Sequence, residues 1–168
     1  PAALSGGDGG RDAPHASLAD AIAAATPGAT ILLAPGTHAG GLSIGKSLTL
    51  HGHCAADVRI VGLLTKPALV IGGAATQVKL QGLSVIGGVI GVQVVGSAKA
   101  ELHNVRIRNA MTGGLFAESA AQVTVRESLV EGTLPAAGQR TIASAAASTW
   151  RRAPRLSCTT PASPTIAR

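Results

Sequence analysis

Val78-Lys-Leu-Gln-Gly-Leu-Ser-Val-Ile-Gly87, Ala100-Glu-Leu-His-Asn-Val-Arg-Ile-Arg-Asn109 and Val123-Thr-Val-Arg-Glu-Ser-Leu-Val-Glu-Gly132 align beneath one another with shifts of 22 and 23 residues. Apolar residues then superpose at 78/100/123, 80/102/125 and 85/107/130. A second segment repeats in phase, through Leu69-Val-Ile71, Val92-Gln-Val94 and Leu115-Phe-Ala117, shifted by 23 each time. Turn-forming or small residues follow each copy, as Gly72-Gly-Ala-Ala75, Gly96-Ser-Ala98 and Ser119-Ala-Ala121. Alternating apolar residues mark strands, and a fixed period of this length marks a stacked architecture. One unit cannot bury its own apolar side, so copies stacked at about 4.8 Å build a continuous core.

Working outward, composition agrees. Of 168 residues 46% are hydrophobic, but only 1% are aromatic. Small and β-branched side chains fill a narrow column better than rings do. The two aromatics, Phe116 and Trp150, argue against stacking platforms for single-stranded nucleic acid. The apolar content is too high for a disordered chain, and the 22 Gly call for many turns. Basic charge is local. Arg140, Arg151, Arg152, Arg155 and Arg168 lie beyond Gly132 with no acid among them, leaving nine basic residues against eight acidic ones before that point. A phosphate-binding groove would spread its charge over a folded face, so no nucleic-acid partner is expected. Leu80–Ala98 is uncharged and long enough to span a bilayer. Its glycines, glutamines and period-two alternation make it two strands and a turn, and no membrane span is expected.

Upstream, Ser17-Leu-Ala-Asp20 looks like a capping box with Asp in place of Glu. Leu18, Ile22 and Ala25 recur at helical spacing before Pro27-Gly28 ends the segment. A short helix here would cover the exposed edge of the first rung. Strands are expected at Thr30–Leu33, Leu42–Ile44, Leu48–Leu50 and Val58–Ile60, divided by Pro35-Gly36, Gly40-Gly41 and Gly52.

The run Ser17-Leu-Ala-Asp-Ala-Ile-Ala-Ala-Ala-Thr-Pro-Gly-Ala-Thr-Ile-Leu-Leu-Ala-Pro-Gly-Thr-His38, followed by Leu42-Ser-Ile-Gly-Lys-Ser-Leu-Thr-Leu-His-Gly52, resembles the opening segment of right-handed parallel β-helix proteins of the pectin-lyase-like superfamily. The likeness covers about residues 14–133, with His38 where the family usually has Tyr. It implies an all-β chain, a right-handed parallel β-helix (β-solenoid) with an N-terminal capping α-helix and three parallel sheets per coil. It also implies an exported protein, extracellular or in the cell envelope, that handles polysaccharide. Members include pectate lyases, polygalacturonases, esterases, epimerases and many solenoids with no known activity.

Fold alone does not give function. The carboxylates of the repeat are Asp57, Glu101, Glu118, Glu127 and Glu131. The family's Asp-Asp, Asn-Thr-Asp and Gly-His-Gly patterns are absent, and His51-Gly52-His53 is a superficial echo. The acidic cluster that a calcium-dependent lyase needs is absent as well. No catalytic residue, metal or cofactor is therefore assigned; His51, His53, Cys54 and Asp57 are close in sequence, but surface roles suit them better than zinc.

The densest polar group is His103, Asn104, Arg106, Arg108, Asn109 and Arg126. Arg and Asn suit sugar hydroxyls and uronate carboxylates, so these six are the candidate contacts for a polysaccharide or acidic glycan. The register also places Lys79 beside Glu101 and Arg108 beside Glu131, as opposite charges on consecutive rungs.

Three segments follow: a flexible leader over 1–16, which includes Gly6-Gly-Asp-Gly-Gly10, the solenoid over 17–133, and a basic Ala/Ser/Thr/Pro/Arg-rich tail over 134–168. The tail breaks the repeat, either as a linker or as a truncation of the coil by a misread or grafted end. No signal peptide is visible, and the start at Pro1 suits a processed or partial chain. Cys158 lies in the tail, so no bridge to Cys54 is expected. The functional expectation is a non-catalytic or catalytically incomplete carbohydrate-contacting domain. The alternatives are a fragment of a lyase or hydrolase with active coils beyond residue 133, and a structural or adhesive solenoid.

Overall fold

The computed structural model describes residues 7, 9, 10, 12–118 and 120–132. It is a parallel β-solenoid preceded by one short helix, α1 (Leu18–Ala24). The first turn carries β1 (Thr30–Leu33), β2 (Gly36–Ala39) and β3 (Leu42–Ile44); the second carries β4 (Leu48–Gly52), β5 (Val58–Gly62) and β6 (Leu69–Ile71). In the third and fourth turns the first two strands run together, giving β7 (Gln77–Gly87) with β8 (Ile90–Val94) and β9 (Lys99–Arg108) with β10 (Gly113–Ala117). A fifth turn begins with β11 (Gln122–Arg126) and β12 (Leu129–Glu131).

Every strand pairing is parallel, and the register is the one the repeat demands. Val78, Ala100 and Val123 are stacked, as are Leu80, Leu102 and Val125, and Val85, Ile107 and Val130. The second repeated segment forms its own four-stranded sheet, β3–β6–β8–β10. Between Leu80 and Ala98 the chain forms the greater part of β7, then β8, as two strands and a turn. Among the described residues no helix is long and apolar enough to cross a membrane.

Two features depart from the expected layout. Instead of three separate sheets, the strands form an eight-stranded sheet and a four-stranded one. The larger sheet covers two faces of the column, because β7 and β9 continue through the corner between them. Single residues in the left-handed region turn the chain there: Gly82 (φ 60), Asn104 (φ 53) and, one turn further, Glu127 (φ 48). The second departure is β2, in a stretch expected to be a turn. Gly36-Thr-His-Ala39 has no large apolar residue, yet it pairs with β5 along its whole length. His38, in the inward file of Ile60, satisfies its ring by a 2.9 Å contact with the Ala34 carbonyl.

The core is a set of inward files. Leu50, Leu80 and Leu102 are at most 1% exposed, as are Ile60, Val85 and Ile107. Each fully buried side chain of this kind contributes roughly 1.5–3 kcal/mol. At the first turn α1 closes the column by inserting Leu18 and Ile22 into the same cluster. Its start matches the capping-box expectation with a modification. The Asp20 amide donates to Ser17 Oγ at 3.1 Å, and the Ser17 hydroxyl donates to the Asp20 carboxylate at 2.7 Å. Its end is held by Lys46, whose Nζ donates to the Ala23 and Ala25 carbonyls at 2.9 and 2.6 Å. A cation belongs at that end of the helix dipole. At the opposite end Val123, Val125 and Val130 are only partly buried.

Between β4 and β5 the corner is widened by His53–Asp57. This insert is a tight turn closed by the Asp57 and Val58 amides on the Cys54 carbonyl, at 3.1 and 3.0 Å. It lies over the second face, where the buried Ser84 hydroxyl donates to the Ala55 carbonyl. Cys54 is 1% exposed and disulfide-bonded. Cys158, to which no bridge was expected, lies outside the described residues. So does the tail over 134–168.

Candidate functional site

The six candidate residues lie on or beside the fourth turn, but a corner divides them. On the first face the outward file runs His51, Gln81, His103, Arg126, and the file beside it runs Thr49, Lys79, Glu101, Thr124. These side chains border a shallow groove of about 380 Å³, lined by Gln81, Glu101, Leu102, His103, Thr124 and Arg126. Apart from Leu102, whose side chain belongs to the inward file, the lining side chains are polar or charged.

The polar groups of this face are tied into pairs. His51 Nδ1 meets Gln81 Oε1 at 3.0 Å. Lys79 Nζ lies 3.3 Å from Glu101 Oε2, as the register predicted. His103 Nε2 lies 3.2 Å from Glu127 Oε2, which reaches back from the corner. These pairs are about half exposed, so each is worth about 0–1 kcal/mol and positions side chains more than it stabilises the fold.

Arg106 and Arg108 sit on the second face. Arg106 stacks on Ser84 and under Leu129, and Arg108 stacks on Ile86 and under Glu131. The expected Arg108–Glu131 stack therefore exists in register. The ion pair, though, goes from Glu131 Oε1 to Arg106 Nε, at a long 3.9 Å. That separation is outside hydrogen-bonding range. Nε of Arg106, Nε of Arg108 and Oδ1 of Asn104 are all buried without a hydrogen-bond partner. A buried polar atom left unpaired costs roughly 1–3 kcal/mol. Asn104 occupies the corner itself. Asn109 turns the next corner at φ 57, and its amide donates to the Glu131 carbonyl at 3.3 Å.

The structure thus brings His103 and Arg126 together in the groove and Arg106 and Arg108 together around the corner, with Asn104 between the pairs and Asn109 beyond them. Sequence reasoning missed Glu127 and Thr124 as parts of the site. The signal for the corner was present: inward residues are two apart along a strand but three apart at Leu80–Leu83 and Leu102–Val105. That phase slip flips the following residues onto a new face.

Chemically, the surface offers guanidinium, imidazole and amide donors on adjacent rungs, alongside carboxylates already engaged by bases. Among the described residues no group of three or more His, Cys, Asp or Glu is placed to hold a metal ion. Compared with protein-family models, with curated proteins and with solved structures, the chain matches none.

Proposed function

We propose that this solenoid is a carbohydrate-contacting domain of an exported protein, non-catalytic or catalytically incomplete, which holds an acidic glycan against the outward side chains of β9. The resemblance of residues 14–133 to pectin-lyase-like right-handed β-helices supports this reading. The observation that carries it is local. Arg106 and Arg108 lie two residues apart on one strand, each with a buried Nε that has no hydrogen-bond partner. Arginine donors in this state favour a carboxylate, which accepts two parallel N–H bonds from one guanidinium. Around the corner, Gln81, His103 and Arg126 supply donors and acceptors at the spacing of the rungs, suited to sugar hydroxyls.

The test is calorimetric titration with oligogalacturonate and alginate oligomers, and with a neutral oligosaccharide as the control. The acidic oligomers should bind, and Arg106→Ala with Arg108→Ala should weaken them at least about 10-fold, since a hydrogen bond to a charged group is worth about 1.5–3 kcal/mol. Unchanged affinity in the double variant would remove these residues from the site. New reducing or unsaturated ends, released with or without calcium, would overturn the non-catalytic reading.

A further inference from the structure

We infer that the second face of the solenoid, with the corner it runs into, docks on an anionic lipid surface. Leu63 and Leu64 enter the headgroup layer there, and Arg59 and Lys66 meet lipid phosphates. Among the described residues six large apolar side chains are exposed, and five of them gather in this region: Val61, Leu63, Leu64, Met111 and Leu129. The sixth, Leu32, is on β1. A gathered apolar patch marks an interaction surface, where singly scattered residues would not. The corner segments of successive turns are stacked, because the Val89 amide donates to the Lys66 carbonyl and the Met111 amide to the Gly88 carbonyl, both at 3.0 Å. Leu63, Leu64 and Met111 thus belong to one corner of the column. Val61 stacks beside the partly exposed Ile86 on the adjoining face.

Shape and charge choose the occupant. Leu63–Lys66 closes as a tight turn, the Lys66 amide donating to the Leu63 carbonyl at 3.3 Å, and its two leucines are 61% and 65% exposed. A protruding apolar turn suits a fluid layer that closes around it, whereas a folded partner must offer a matching recess. The bases here are Arg59 and Arg106 in one outward file, Arg108 in the next and Lys66 at the corner. The carboxylates are Asp57, beside β5, and Glu131, which is drawn toward Arg106. Four bases against two acids leave a positive surface, and each cation near an anionic leaflet tightens binding roughly fivefold. Interfacial binding of this kind combines buried apolar area with attraction to anionic lipid, and no strand leaves the solenoid. The inference does not depend on the proposed glycan contact, although the two share a face.

The test is co-sedimentation of the full chain with vesicles of phosphatidylcholine alone and of equal parts phosphatidylcholine and phosphatidylglycerol. The anionic vesicles should bind at least about 10-fold more tightly. Leu63→Ser with Leu64→Ser should weaken that binding at least about 10-fold. Its melting temperature should not fall, because both side chains are exposed, and its affinity for acidic oligosaccharides should match the wild type. Lys66→Glu should weaken binding to the anionic vesicles by about 10-fold and leave any binding to neutral ones unchanged. Equal binding to the two kinds of vesicle would overturn the inference. So would full anionic binding in either variant; retained by both, it would be assigned to the arginine-rich sequence beyond Gly132. A lipid-free dimer of the wild type that the leucine variant dissolves would give the patch to a second copy and overturn it as well.

Discussion

At the scale of single residues, the corner between the two faces of the large sheet depends on the absence of a side chain at two stacked positions. A Cβ at Gly82 would collide with the carbonyl oxygen of Gly52, and Gly82 is also at φ 60. Gly82→Ala combines left-handed strain with a backbone clash, each of order 1 kcal/mol or more. It should lower stability by about 2–4 kcal/mol in urea denaturation. Gly45 supplies the control: it has ordinary φ, and a Cβ added there would meet no atom within 4 Å. Gly45→Ala should be neutral or stabilising by up to about 1 kcal/mol, through loss of freedom in the unfolded chain. Equal losses at both positions would show that the corner is not where the strain is held. Much of this corner was legible beforehand, since the inward spacing slips from two to three at Leu80–Leu83. Its consequence was harder to see. Counted along the strand, His103 and Arg106 are near neighbours, yet one left-handed residue, Asn104, sends them to different faces.

At the scale of elements, α1 is short, and a helix of 7 residues has little stability of its own. It exists because Leu18 and Ile22 are buried on the first turn and because Lys46 holds its last carbonyls. Ile22→Ala should therefore destabilise the whole domain by about 2–4 kcal/mol, measured by thermal or chemical denaturation. It should also uncover the edge of the first turn, seen as faster aggregation by light scattering. A variant that lost helicity but kept its stability and solubility would refute the capping role. Ser17-x-x-Asp20 and the 3.6-residue apolar spacing made the helix legible in sequence. By contrast β2 was not legible. Gly36-Thr-His-Ala39 is extended because β5 offers a ladder beside it, and that neighbour is 22 residues away in the chain.

At the scale of the whole molecule, the solenoid is unequal along its axis. Its middle turns are buried above and below, its first turn is covered by α1, and in β11 and β12 no residue is fully buried. In a stacked repeat each turn is stabilised chiefly by its neighbours. Amide exchange should therefore be slowest in β7 and β9 and faster in β11 and β12 by at least about 10-fold. Uniform protection from β4 to β12 would mean that something covers the last turn as well as α1 covers the first.

The period of 22 to 23 residues, the identity of the inward files and the capping helix were determined by sequence alone. Each follows from the need of an extended segment to bury alternate side chains against a copy of itself. Only the tertiary structure decided how the turns bend. It made two expected sheets one and divided the polar cluster between a groove and an arginine-bearing face. It also engaged Cys54 in a disulfide. These outcomes depend on single backbone angles and on contacts between distant residues, which side-chain periodicity does not encode.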